Sequence, residues 1–408
     1  MTHVKGVLLM KYNFDKIINR QNTNCMNTDG YKEYMFADFG DIQFPYKDHE
    51  FIRMWIADME FETPQIIQDA MKDRIDHGIF GYSKIFNNDY YEDMVNWTKS
   101  RYDWQFNKND LNTSPGIIPA LYELVEYICK PDEKILILTP SYAFFKHAAD
   151  RHSIELVTSD LIKENGTYKM DFDDIRKKAS DPKVKLTIFC NPHNPTGRIW
   201  TAEELKTFGD ICLENHVLMI SDEIHCDLLR TGNTHIPLAK LYPDSDQIIT
   251  CMSPSKAFNM AGLMFSNIII PNEEIQAKWN ERHYPFDNPV SIAAIQAAYA
   301  HGSDWLNALN VYIDKNFEYL DHFIRAELPL AHFNIPESTY LAWIDISTYL
   351  PNEDNLPLFF AKNAGVLLEG GDMFVDNSDG HIRLNLACPR SVLEEGLVRI
   401  KNALISAE

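Results

Sequence analysis
Positive charge is scarce in this sequence. Its 38 lysines and arginines stand against 59 aspartates and glutamates, for a formal net charge of −21. So acidic a chain is repelled by polyanions, which argues against nucleic acid or an anionic membrane as its main partner. Any anionic ligand must then be met by locally placed donors. Paired cysteines are missing as well. The seven cysteines are scattered, odd in number and contain no Cys-x-x-Cys. That argues against a disulfide framework or a structural zinc site, and for a reducing compartment. The apolar patch Val7–Met10 is too short for a signal-peptide core or a membrane span. Met10 offers an alternative start. With no secretory signal, the sequons at Asn96, Asn112 and Asn165 are chance matches, and the cytoplasm is the expected location. There is no repeat, no low-complexity segment and no Pro/Gly/Ser linker.

What is present is the composition of an ordinary soluble protein. At 408 residues, 45% apolar and 24% charged, the chain is long enough for two domains and a large core. Thr63-Pro64 opens a predicted helix with the apolar stripe Ile66, Ile67, Ala70, Met71 and Ile75, stopped by Gly78. Ser114-Pro115-Gly116 leads into a second, Ile117–Cys129. Strand-like runs follow at Lys134–Leu138, Ile154–Thr158, Lys185–Cys190, Val217–Ile220, Gln247–Cys251 and Asn267–Ile270. Thr201 with Glu204 forms a capping box between two of them. Short, nearly continuous apolar strands separated by helices predict an α/β fold with a mostly parallel sheet covered on both faces. Ligands bind such sheets beyond the carboxyl ends of the strands. After Pro289 the pattern changes: helices near Val290–Ala300 and from Ser303 to Glu327, strands around Tyr340–Ile346 and Ile382–Leu386, and a last helix capped by Ser391 with Glu394. This predicts a large domain over 61–300 and a smaller α+β domain over 301–408, which the segment 1–60 joins.

Four stretches carry chemistry. Lys256, in Cys251–Gly262, follows an apolar strand, with Ser253 and Ser255 before it and Phe258, Met260 and Ala261 after it. An amine kept partly desolvated loses its proton near neutral pH and condenses with an aldehyde, while the serines are placed to donate to a phosphate. Taken alone, Lys256 also reads as a surface lysine after a strand. Asn191–Gly197 closes the strand Lys185–Cys190 with two prolines and a glycine, a rigid turn aiming Asn194 at the strand ends; a plain change of chain direction accounts for it equally. Ser221–His225 puts Asp222 at the end of another apolar strand, where a buried acid needs a cationic partner. A metal site of Asp222, Glu223, His225 and Cys226 competes weakly, because neighbours on an extended chain point to opposite faces. Arg383 shares a strand face with Asn385 and Ala387, suited to bidentate capture of a carboxylate or to an internal ion pair with an acidic side chain. Arg390, after Pro389, reads as structural.

Together these stretches resemble the fold-type I enzymes that use pyridoxal 5′-phosphate, in the aminotransferase class I/II superfamily. The order Asn-Pro-x-Asn-Pro-x-Gly, Asp-Glu, Ser-x-x-Lys and Arg-x-Asn recurs there, and the resemblance covers nearly the whole chain. Met54–Phe61, Phe80-Gly81-Tyr82, Asn191–Gly197, Ser221–His225 and Ser253–Gly262 are similar to the MalY/PatB-like branch of cystathionine β-lyases, or C–S lyases. The resemblance implies an aspartate-aminotransferase-like fold and a set of roles. Lys256 would hold the cofactor's aldehyde and later move the Cα proton. Asp222 would face the pyridine nitrogen, and Asn194 the ring 3′-oxygen. Relatives often have a tyrosine where His225 stands, which leaves a second donor to that oxygen in question. Tyr142 would stack on the ring, or else be an ordinary core tyrosine. Gly116 and Ile117 backbone N–H groups, with Ser253 and Ser255, would take the phosphate. Tyr82 would reach it from the partner subunit of a homodimer. Met264 stands where many transaminases place an arginine. Arg383 would take the substrate α-carboxylate, helped by backbone near Ile56 and Ala57.

The implied reaction is α,β-elimination from L-cystathionine or a related S-substituted cysteine to a thiol, pyruvate and ammonia. An aminotransferase of broad or aromatic specificity is the alternative, and a regulatory protein on the same fold with vestigial lyase activity is a third. A metal-dependent hydrolase is the least supported. No metal is expected.

Overall fold
The computed structural model describes residues 11–164, 166–376 and 378–407. The patch Val7–Met10 with its alternative start, and the sequon at Asn165, lie outside the described residues. Short aliphatic runs form a seven-stranded sheet from β1 (Leu111–Ser114), β2 (Lys134–Thr139), β3 (Glu155–Asp160), β4 (Val184–Cys190), β5 (Leu218–Asp222), β6 (Ile248–Met252) and β7 (Ser266–Ile269). Its order is β1-β7-β6-β5-β4-β2-β3. Every neighbouring pair from β3 through β6 is parallel, as the apolar strand pattern predicts. Alternate residues feed opposite faces: Ile135 and Ile137 enter one core cluster, Leu136 and Leu138 another.

Two features of the sheet differ from expectation. Leu-Asn-Thr-Ser at β1 has one aliphatic residue and gives no strand signal; it becomes a strand by lining the edge of β7. The run at Asn267–Ile270 forms β7, but antiparallel to both neighbours. Between β6 and β7 the one helical element among the described residues is the 3₁₀ turn Ala261–Leu263, whereas a parallel return usually runs through an α-helix.

The helices sit on both faces. α1 (Gln65–Asp76) and α2 (Ile117–Ile128) begin where their proline and glycine signals place them. α3 (Ala202–Glu214) opens on the capping box: Thr201 Oγ1 accepts from Glu204 N at 3.1 Å and Glu204 Oε2 accepts from Thr201 N at 2.8 Å. On α1 the apolar stripe is wider than the packed face. Ile67 is buried, but Ile66 and Ile75 are 46% and 51% exposed. α4 (Pro289–His301) leads into α5 (Ser303–Glu327), whose Leu306, Leu309, Ile313, Phe317, Leu320 and Ile324 are all buried. The last helix, α6, spans Arg390–Ala407. It starts one residue before Ser391, which lies inside the first turn and does not cap it, because Pro389 O already accepts from Val392 and Leu393.

A second sheet joins β8 (Leu341–Asp345), β9 (Glu369–Gly370) and β10 (His381–Asn385) in the order β8-β10-β9, all antiparallel. Chain from the N-terminal part docks beside it: Ile52–Arg53 pairs with Val366–Leu367, and Asn385 N donates to Met54 O. Among the described residues, no helix is long and apolar enough to cross a membrane.

Candidate active site
The parallel register brings three strand ends together. Cys190 on β4 pairs with Asp222 on β5, and Asp222 with Cys251 on β6. The turn after β4, the acid closing β5 and the lysine loop after β6 therefore open on one place, a cavity of about 400 Å³. Gly197, at φ +70°, is needed to close the first turn: a Cβ there would lie 2.4 Å from Pro336 Cβ. Lining the cavity are Asn194, Asp222, His225, Ser255 and Lys256 from the large sheet, and Gly116, Ile117 and Tyr142 from the same side. Ile56, Ala57 and Arg383 close it from the small sheet.

Two expected residues stand elsewhere. Ser253 does not line the cavity; its Oγ donates to Phe265 O at 2.8 Å and accepts from Ser255 N at 3.1 Å. In this arrangement the one hydroxyl proton is committed to a backbone carbonyl, and Ser253 serves as a framework contact. Tyr82 is 84% exposed and packs on Phe286, with ring centroids 4.9 Å apart, away from this chain's own cavity.

Burial sets the charges. Lys256 Nζ donates to Ala57 O at 2.6 Å, and burial holds its amine below the usual lysine range, with Asp58 acting in the opposite direction. Asp222 accepts from Ile224 N at 3.1 Å and has no side-chain partner among the described residues. Burial pushes its carboxyl up to about 7, against that backbone hydrogen bond. His225 Nδ1 is buried and has no partner among the described residues, and burial, with the Lys256 and Arg383 charges, lowers the ring to about 3, so it stays neutral. Glu223, one residue from Asp222, faces the core instead. It accepts from Ser221 Oγ at 2.8 Å and Leu238 N at 3.0 Å, and pairs with His235 Nε2 at 2.7 Å. The weak metal reading required Asp222 and Glu223 to converge, and they diverge.

Arg383 on β10 is only 2% exposed. Its Nη1 donates to Asn194 Oδ1 at 3.0 Å and its Nη2 to Trp55 O at 3.4 Å. Nη2 also forms an ion pair with Glu369, which the β9–β10 register sets directly opposite. Asn385, two residues on, donates to Ile56 O at 2.7 Å and so fixes the loop that offers Ala57 O to Lys256. Glu369 was not signalled by the sequence: it precedes a Gly-Gly pair in a loop with no periodic pattern. Met26 and Tyr34 also line the cavity, and nothing in their irregular, aromatic segment marks them.

The residues present fit pyridoxal 5′-phosphate. A buried carboxylate lacking a side-chain partner suits a ring N–H, and the lysine lies in the same cavity. The first turn of α2, preceded by Gly116 and without a side-chain cap, offers free N–H groups to a phosphate.

The chain is similar to known proteins along nearly its whole length. Residues 50–400 match the family aminotransferase class I and II. The chain is 37% identical to cystathionine beta-lyase PatB of Bacillus subtilis (strain 168), covering 96% of this chain and 100% of that one. It is 29% identical to protein MalY of Escherichia coli (strain K12), covering 96% and 99%. Among solved structures, the PLP-bound C-S lyase from Staphylococcus hominis superposes with a TM-score of 0.92 at 52% identity, covering 97% and 98%. The large, mostly parallel sheet with the smaller sheet beside it is thus the fold-type I, aspartate-aminotransferase-like architecture. The chain belongs to the aminotransferase class I and II family, in the branch that holds PatB and MalY.

Proposed function
We propose that this protein is a pyridoxal 5′-phosphate-dependent C–S β-lyase that cleaves L-cystathionine and related S-substituted cysteines. With water, the substrate gives a thiol, pyruvate and ammonium. One observation carries the reading: a desolvated lysine amine and a buried carboxylate without a side-chain partner face the same cavity, with a guanidinium at its small-sheet wall.

When bound, pyridoxal 5′-phosphate supplies an aldehyde for amines and a ring that accepts the negative charge left at Cα. The chain's residues do the rest. Lys256 holds the cofactor and takes the Cα proton on Nζ, an amine whose lowered pKa leaves a larger neutral fraction than an exposed lysine has. Asp222 keeps a proton on the ring nitrogen. Asn194 steadies the 3′-oxygen, Tyr142 covers a ring face, and Gly116, Ile117 and Ser255 take the phosphate. Neutral His225 closes the floor without adding charge. Arg383 receives the substrate carboxylate, and the Ile56–Ala57 loop positions the substrate. Met264 lines the cavity where many relatives carry an arginine, so phosphate charge is met by backbone dipoles and hydroxyls.

The working unit is a homodimer, in which Tyr82 of each copy completes the other's phosphate site. Its 84% exposure supports this, as does the surrounding apolar surface of Ile75, Ile79, Phe80 and Phe86, 51%, 66%, 55% and 83% exposed. Of the described residues, those within 11–60 and 301–407 form the small domain and those within 61–300 the large one, and the protein works in the cytoplasm.

Incubation with S-methyl-L-cysteine tests the reading. Free thiol and pyruvate should appear without any keto-acid acceptor, and the Lys256→Ala protein should release neither. Product formation only when a keto acid is added would make the protein an aminotransferase. Tyr82→Ala should loosen the cofactor while sedimentation still shows a dimer; a monomeric, fully active protein would remove the partner from the site.

A further inference from the structure
Arg383 is not free to receive a carboxylate. Of its guanidinium edges, the one formed by Nε and Nη2 suits a carboxylate side-on. On that edge Nε is buried with no partner among the described residues, while Nη2 is held by Trp55 O and Glu369. A substrate carboxylate docking there meets Glu369 at the same nitrogen.

Glu369 has little freedom to leave. It is 9% exposed, in a strand whose register fixes it opposite Arg383, and a Cβ on the next residue, Gly370, would meet Pro357 at 2.6 Å. The groups facing it are few: Arg383 from β10, Lys256 across the cavity, Asp372 from its own loop, and the Tyr34 and Tyr142 hydroxyls. Of these only Arg383 and Lys256 are cations, and on the reading above Lys256 is engaged with the cofactor. A second carboxylate would then share one guanidinium with Glu369 in a buried setting, where like charges repel strongly. Burial already raises the Glu369 carboxyl, with Arg383 opposing.

We propose that Glu369 occupies Arg383 in the free enzyme and takes up a proton from solvent when a substrate carboxylate joins it there, so that substrate capture is coupled to protonation of this side chain. Glu369 is a positioning residue acting through Arg383. It makes the affinity for amino-acid carboxylates fall as pH rises, and this rests on the lyase reading, in which Arg383 is the carboxylate receptor.

The test is calorimetric titration of the holoenzyme with 3-(methylthio)propanoate, which has the carboxylate and the thioether but no amine to react. Running it in buffers of different ionisation enthalpy counts protons. Wild type should take up close to one proton per ligand at pH 8, and its affinity should drop by up to about tenfold per pH unit from pH 7 to 9. Glu369→Gln should take up none and bind with little pH dependence, while Glu369→Asp keeps the slope. Groups common to these proteins, Asp222 among them, cancel in the comparison. Equal uptake in wild type and Glu369→Gln would overturn the coupling and leave the lyase reading intact. Binding as tight to Arg383→Ala as to wild type would remove Arg383 as the carboxylate receptor, and the coupling with it.

Discussion
The two walls of the cavity are built on opposite rules. On the large-sheet side, polar groups are left with partners missing: among the described residues Asp222 has only a backbone N–H, and His225 Nδ1 has nothing. On the small-sheet side most are met, with Arg383 against Glu369 and, across the cavity, Asn194, only its Nε left open among the described residues, and Asn385 against the Ile56–Asp58 loop. A wall of unmet groups loses stability by being empty and gains it when a ligand arrives. A wall of paired groups is stable as it stands and must give up a contact to bind anything. The first describes a site for a resident cofactor, the second a site for a substrate that comes and goes.

The largest expected effect tests the unmet wall. Asp222→Asn should lower kcat by on the order of 10²–10³, because the buried negative charge that holds the ring proton is gone. Without cofactor the same change should help the protein. The Asp222 carboxyl is raised from 3.8 to about 7 on folding, so between those pH values the folded chain holds a proton that the unfolded chain releases. Stability is therefore lost as pH rises through that window, by up to about 1.4 kcal/mol per pH unit. Cofactor-free Asp222→Asn should melt above wild type at pH 8, with the gap closed by pH 4. Equal melting temperatures at pH 8 would mean that the carboxylate is not an isolated charge.

On the paired wall the signs reverse. Arg383→Ala removes one member of a buried ion pair and should cost about 3–5 kcal/mol of stability whether or not cofactor is bound. It should also raise KM for S-alkyl cysteines by on the order of 10²-fold. Adding Glu369→Gln to that variant should recover much of the stability and none of the KM. If the double variant were no more stable than Arg383→Ala, the stranded Glu369 charge would not be the cause.

This contrast also marks how far the sequence could be read. The large-sheet wall is legible because each residue follows an apolar run at a fixed strand end: Asn194 after β4, Asp222 closing β5, Lys256 after β6. Arg383 and Asn385 are legible by alternation on β10. Their partners are not. Glu369 enters the site through the β9–β10 register, and Tyr34 and Met26 through the docking of an irregular segment, neither of which leaves a local pattern. Both expected faces of Arg383 are present in one residue: an internal ion pair in the free protein, and an unpartnered Nε on the edge that suits a carboxylate. The strand β1 and the exposed half of the α1 stripe were hidden for the same reason, since both are decided by what packs alongside.

The smallest effect separates two serines that look interchangeable in Ser-Pro-Ser-Lys. Ser255 lines the cavity, whereas the Ser253 hydroxyl is spent on Phe265 O. Ser255→Ala should weaken cofactor retention by about tenfold or less and leave the cofactor-free melting temperature nearly unchanged, since it removes one donor from a group of several. Ser253→Ala should do the reverse, costing about 1–2 kcal/mol by stranding a buried carbonyl while cofactor affinity holds. Measuring both quantities on both proteins crosses the two effects. If Ser253→Ala lost cofactor as readily as Ser255→Ala, the loop after β6 would have to rearrange on binding, and Ser253 would belong with the unmet groups after all.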